Sequence, residues 1–205
     1  MVSPALTVLP IHRSASGDAR ADARSAFVPP IIITKSGKKI DLLQPDPQEF
    51  SISDIAHALS HLCRFTGHTR RFYSVAQHSL MVSELVPQAL AKEALLHDAA
   101  EAYIGDVSTP LKILLPEYRS IEERIELAIH QRFQLDFCDD HRTHIKRADM
   151  IMLATERRDL FDLQARQERW RLLDGIEPLH NLIHPLPAEK IMQLFLRRCG
   201  ELGLG

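Results

Sequence analysis

Residues 95–112 read LLHDAAEAYIGDVSTPLK, and they follow Ala94 in a stretch dense with alanine and leucine. Alanine and leucine lead the helix propensity scale, so this run predicts a helix that continues to about Ile104, where Gly105 supplies a natural stop. His97 and Glu101 are four residues apart and Asp98 and Glu101 three apart. On a continuous helix these three side chains share one flank, while the small alanines let neighbouring helices approach closely. An imidazole and a carboxylate placed that way can reach one cation. Asp106 follows just beyond the glycine.

Outward from this stretch, helical patterning dominates. Ser53 is a candidate cap for a helix carrying Ile55, Ala56, Leu59, Leu62 and Cys63 and ending near Gly67, and Ser74 for one carrying Val75, Leu80, Val82 and Leu85 and ending at Pro87. Beyond the central stretch, Thr109-Pro110 opens a short helix, Pro116 to Phe133 forms a longer one, residues 141 to about 167 another, and Ala188 to Cys199 the last. Residues 178–187 read as an irregular loop. Towards the N-terminus, Ile31 to Ile33, a Lys35-Ser36-Gly37-Lys38 turn, and Ile40, Leu42 and Leu43 predict a small β-hairpin. Residues 1–30 lack periodicity and read as a flexible extension, leaving 31–205 as one domain. The expected fold is all-α, a compact helical bundle with a metal site between helices and a small N-terminal hairpin.

A chain of 205 residues with 45% hydrophobic content can bury a full core without disulfides. Its net charge of −2, with both signs interspersed, offers no basic footprint for duplex DNA or RNA. Any nucleotide partner is therefore expected to be small and locally held. Cys63, Cys138 and Cys199 are odd in number and show no CxxC pairing, which fits reduced thiols in a cytosolic protein. No apolar run approaches the roughly 20 residues of a membrane span.

A divalent ion needs more protein ligands than His97 and Asp98. His78, in YSVAQHSLMV, is flanked by apolar residues that turn its face inward. Asp149, in IKRADMIMLATE, is a carboxylate on an apolar helix, expensive to bury without a cation. Two histidines and two carboxylates leave coordination positions open for water and a phosphate oxygen, and the mixed donors suit Mn, Co, Zn or Fe better than Mg. His57 and His61 form an HxxxH pair, but Ala58 stands where a zinc protease needs glutamate. His141, His144, His180 and His184 are scattered among turns and receive no role, and Arg70 and Arg71 read as exposed loop charges. Phosphate-binding GxxxxGKS, dinucleotide GxGxxG and esterase GxSxG patterns are absent.

The segments RFTGH, YSVAQHS, ALLHDAAEAYIGDVSTPLK and RADMIMLATE, in that order over roughly residues 50–160, resemble the HD-domain phosphohydrolases. Within that family they look like the bacterial 5′-deoxynucleotidases and the phage dATP triphosphohydrolases. The resemblance implies His78, His97, Asp98 and Asp149 as metal ligands, Glu101 and Asp106 as the catalytic acidic pair, and Arg64 as a phosphate-holding arginine. It also implies a homodimer or larger homo-oligomer. Phosphate ester hydrolysis needs an activated water, charge neutralisation and a proton for the departing oxygen, and this set offers a group for each. Lys112 adds a second cation for phosphate oxygens. The implied activity is release of phosphate from 2′-deoxynucleoside 5′-monophosphates. Removal of triphosphate from dATP, or nucleotide sensing without catalysis, are the alternatives.

Overall fold

The computed structural model describes residues 29–204; most of the segment expected to form an N-terminal extension lies outside them. Strands β1 (Ile31–Ile33) and β2 (Lys39–Asp41) pair antiparallel with Ile32 opposite Ile40, joined by a turn in which Gly37 takes a φ of 83°. This hairpin is docked by one carboxylate. Asp54 accepts from Ser36 N at 3.0 Å, Ser36 Oγ at 2.6 Å, Thr34 Oγ1 at 3.0 Å and Ser51 Oγ at 2.8 Å. Burial opposes its ionisation, yet these donors hold its pKa below the usual carboxylate range.

Asp54 lies in the first turn of α1 (Ile52–His61), whose cap is Ser51 rather than the expected Ser53: Ser51 Oγ accepts from Asp54 N at 3.3 Å. The helix also stops earlier than Gly67. Leu62 and Arg64 turn their backbone groups to a second segment, with Arg64 N donating to Tyr73 O at 2.9 Å and Val75 N to Leu62 O at 3.0 Å. The chain between them is a tight turn, Arg64–Gly67, in which Phe65 and Thr66 both adopt left-handed backbone angles.

Helix α2 (Val75–Leu85), capped by Ser74, is buried on nearly all sides and touches α1, α3 (Ala91–Leu95), α7 (Asp139–Leu160) and α9 (Ala188–Glu201). Between α3 and α4 (Glu101–Ile104) the expected continuous helix is broken over residues 96–100. There the backbone bonds close over three residues, as in Ala99 N to Leu96 O at 3.0 Å and Glu101 N to Asp98 O at 3.0 Å. One cause is visible in the side chains: His97 Nδ1 donates to Ala94 O at 2.8 Å, taking the carbonyl that a regular helix gives to Asp98 N–H.

Helices α5 (Thr109–Lys112) and α6 (Pro116–Phe133) follow as expected, each with proline in its first turn. The predicted helix over residues 141–167 is instead α7 and a short α8 (Leu163–Gln167). Arg70 ends α7 by donating from its backbone N to Leu160 O at 2.9 Å and from its guanidinium to Asp159 O at 2.5 Å. Phe161 leaves the helix to pack edge-on against Phe65 and Trp170. Residues 178–187 are irregular, pinned by Thr155, Asp159 and Gln77, before α9 closes the bundle.

Two apolar clusters form the core. The larger joins the hairpin, α1, α2, α4, α6 and α9 around Phe50, Leu59, Ile129 and Phe195; the smaller packs Ile145, Ala148 and Met152 of α7 against Tyr73 and Val82. Full burial of each such side chain contributes about 1.5–3 kcal/mol. Both clusters draw on α2, so polar side chains of that helix are held among rigid neighbours. No helix among the described residues is long and apolar enough to cross a membrane.

Candidate metal and phosphate site

His78 sits in the middle of α2 with no exposure to solvent. Its Nδ1 lies 2.7 Å from Glu156 Oε1 on α7. Glu156 is fully buried and ionised: burial opposes its charge, but Arg64 and His78 hold its pKa below the usual carboxylate range. A carboxylate only accepts, so Nδ1 carries the proton and Nε2 is the nitrogen turned to the interior of the site. His97 is oriented in the same sense by Ala94 O, which leaves its Nε2 free.

These two nitrogens converge with Asp98. One ligand atom from each of His78, His97 and Asp98 lies within 4.8 Å of the other two. Asp98 Oδ2 is 3.2 Å from His97 Nε2 and 3.6 Å from His78 Nε2, while Asp149 Oδ1 approaches His78 Nε2 from α7 at 3.3 Å. Asp149 is steadied by Lys146 Nζ at 2.8 Å. None of these contacts is aligned as a hydrogen bond to either Nε2, and both nitrogens are buried without a partner among the described residues. Buried polar atoms without partners are uncommon and costly. Two inward ring nitrogens beside two carboxylates could hold a divalent cation once His78 gives up its proton, and Glu156 stands behind His78 as the carboxylates behind metal-binding histidines do.

The electrostatics agree. Burial and the Arg64 charge oppose protonation of His78, yet the Glu156 and Asp149 carboxylates outweigh them and hold its pKa up at about 9. Asp98 and Asp149 are also opposed by burial, and the neighbouring histidines, with Arg64 or Lys146, keep both strongly ionised. A site that stabilises positive charge on an imidazole and negative charge on its carboxylates is one in which a cation could take the place of a proton.

Arg64, only 8% exposed, spans the cluster: NH2 is 3.2 Å from Glu156 Oε2 and NH1 3.5 Å from Asp98 Oδ2. Its Nε–H is buried and has no partner among the described residues. Glu101, 7% exposed, opens α4 beside the cluster, with one buried carboxyl oxygen unpartnered. Burial, and then the Asp98 and Asp106 charges, push its pKa well up, against the pull of Arg64 and Lys112. It therefore holds a proton under conditions where Asp98 is ionised. Asp106 is raised too, by burial and Asp98, although Arg64 and the Phe65 backbone N–H favour its charge. Phe65, whose N–H favours the Asp106 charge, and Thr66 both adopt left-handed backbone angles, and such angles in non-glycine residues store strain that surrounding contacts must hold.

Lys112 takes a different place from the one its charge suggested. Its Nζ is 2.6 Å from Glu122 Oε1 and 3.8 Å from Glu101 Oε1, so it serves carboxylates rather than standing free for a phosphate. His57 and His61 lie against each other with ring centroids 4.3 Å apart and planes tilted by 38°, and His61 Nδ1 donates to His57 O, outside the cluster. Glu156 is the residue that sequence reading missed. Its signal was a spacing of seven from Asp149, which returns it to the same face of α7, masked by the arginines that follow it.

The chain is 44% identical over 173 residues to the uncharacterized protein YfdR of Escherichia coli (strain K12), a match covering 83% of this chain and 94% of that protein. It is 42% identical over 110 residues to an uncharacterized protein of Rhodobacter capsulatus, covering 49% of this chain and 56% of that protein. No family model matches the chain.

Proposed function

Since the chain belongs to the family of Escherichia coli YfdR, and since its buried cluster offers the donors of a divalent cation, we propose that it is an HD-type metal-dependent phosphohydrolase acting on 2′-deoxynucleoside 5′-monophosphates. The observation that carries this reading is the pair of buried, unpartnered Nε2 atoms of His78 and His97 facing Asp98. The resemblance of RFTGH, YSVAQHS and ALLHDAAEAYIGDVSTPLK to the bacterial 5′-deoxynucleotidases supports the nucleotide.

His78, His97, Asp98 and Asp149 would hold the ion, with Mn, Co, Zn or Fe suited to two nitrogens and two carboxylates. When bound, it supplies positive charge for a phosphoryl oxygen and makes a nearby water more acidic. Glu156 and Ala94 O accept from Nδ1 of the two imidazoles, so that Nε2 of each faces the ion once the His78 proton has left. Arg64 donates its free Nε–H to a phosphate oxygen, its other nitrogens remaining anchored on Glu156 and Asp98. Asp106 takes the proton of the attacking water as its oxygen bonds to phosphorus. Glu101 gives its proton to the 5′-oxygen as the phosphorus–oxygen bond breaks, so that orthophosphate and a deoxynucleoside leave. Lys112 next to Glu101 favours the carboxylate that remains. In this reading two copies or more of the chain assemble, and no nucleic acid polymer or membrane takes part.

The test is product analysis. Chelator-treated protein is reloaded with Mn, Co, Zn or Mg and given deoxy- and ribonucleoside mono- and triphosphates. Orthophosphate from deoxymonophosphates is the expected product. Tripolyphosphate from dATP replaces the proposal with the triphosphohydrolase reading, and binding without turnover under every metal replaces it with a sensor.

A further inference from the structure

A second group of metal-binding side chains lies where the chain enters α7, and it shares no residue with the site above. Asp136, Cys138 and His141 come from a single loop and the first turn of the helix, and one ligand atom from each lies within 4.8 Å of the other two. From sequence His141 carries no role and Cys138 reads as a reduced thiol; the fold brings them together with a carboxylate.

The loop is fixed before any ion arrives. Asp136 N donates to Glu93 Oε1 at 3.2 Å, and Glu93 is itself buried on α3. Phe137 stacks on His130 with ring centroids 4.2 Å apart, and Arg142 lies over the Phe137 ring while donating from Nε to Phe137 O at 2.8 Å. Cys138 N donates to Asp136 Oδ1 at 3.2 Å and His141 Nδ1 to Asp136 O at 2.7 Å. A ligand binding here meets side chains on an ordered backbone, so little of its binding energy is spent on ordering.

We propose that Asp136, Cys138 and His141 form a second, solvent-facing site for a thiophilic divalent ion of the zinc class. A thiolate, an imidazole and a carboxylate are ligands of Zn or Co; the sulfur disfavours Mg and Ca, which take oxygen. Three protein ligands leave a fourth position to water, the arrangement of an exchangeable rather than a closed structural site. The side chains of Asp136 and His141 are 71% and 27% exposed, which gives the ion a direct path to and from solvent. Bound there, the ion links the entry loop to the first turn of α7, the helix that also carries Asp149 and Glu156.

Cobalt titration of the full-length, chelator-treated protein tests this independently of turnover. The buried site contains no sulfur, so a thiolate-to-cobalt charge-transfer band in the near ultraviolet reports the loop alone. The band is expected to appear in the wild-type chain, to be displaced by zinc, to vanish in Cys138→Ser and to weaken in His141→Ala. Zinc is also expected to protect Cys138 from alkylation, read by mass spectrometry. Absence of the band, or a band that survives Cys138→Ser because Cys63 or Cys199 supplies the sulfur, overturns the proposal.

Discussion

The two groups of donors in this protein are built in opposite ways. His78 on α2, His97 and Asp98 in the turn over residues 96–100, and Asp149 on α7 come from three separate segments and meet in the interior, where Glu156 and Arg64 are buried beside them. Asp136, Cys138 and His141 come from one short loop and meet at the surface. Burial strengthens every electrostatic interaction in the first group and makes each unpaired atom costly, whereas water screens the second. The first is therefore suited to hold a cation while a phosphate is attacked, and the second to exchange an ion with the medium.

The comparison breaks most sharply at Asp98. Asp98→Ala removes a ligand and a partner of Arg64 together, and we expect it to abolish both metal retention at the buried site and phosphate release, measured by elemental analysis and a phosphate assay. If it keeps both, the ligand assignment is wrong. Glu101→Gln is expected to keep the metal and lose about 10²- to 10⁴-fold in kcat, the range for a proton-transfer group; equal losses of metal and rate would make Glu101 a ligand instead.

Glu156→Gln sharpens the role of the buried support. It is expected to weaken metal affinity by about 10- to 100-fold, as loss of a partner behind a ligating histidine does. The pH behaviour gives a second readout. His78 is held at about 9, so at pH 7 the ion-free wild-type site carries a proton there that metal must displace. Calorimetry in buffers of different ionisation heat should show proton release on loading at pH 7, fading as pH rises through 9. The release should be smaller in the variant, whose His78 has lost its strongest raising charge. Equal release in both proteins would remove Glu156 from this role.

The smallest expected effect is at Glu126, which feels the charges of Glu122, Lys112, Arg142 and Asp98. Burial and the Glu122 charge raise its pKa to about 7. An acid whose pKa is higher folded than unfolded contributes stability below its unfolded value, and that contribution is lost as pH rises through about 7. Glu126→Gln should therefore raise Tm relative to wild type at pH 8 and by less at pH 5. A constant difference across that range would contradict the assignment.

Much of this was legible in the residues. Hydrophobic periodicity and proline positions placed α6, α5 and α9, and the β-branched run around a Gly37 turn placed the hairpin. His78 could be singled out by its apolar flanks, His97 and Asp98 by their spacing to Glu101, and Asp149 because a carboxylate on an apolar helix is expensive to bury. What escaped depended on partners distant in sequence. The break at residues 96–100 follows from His97 taking a backbone carbonyl, which propensity does not register. The end of α7 depends on Arg70 and on Phe65 meeting Phe161. Glu156, next to Arg157 and Arg158, has the local sequence of a solvated helix face, and only Arg64 and His78 explain its burial. The pairing of Lys112, a candidate phosphate cation from sequence, with Glu122 is not legible there because Glu122 reaches it only once α6 folds back.

The most direct measurement is anomalous diffraction from crystals of the full chain soaked in Mn or Co. A peak within bonding distance of Nε2 of His78, Nε2 of His97 and a carboxylate oxygen of Asp98 is the result predicted here. Well-ordered density for these side chains with no peak among them, in protein that still releases phosphate, would contradict the buried cluster as the metal centre.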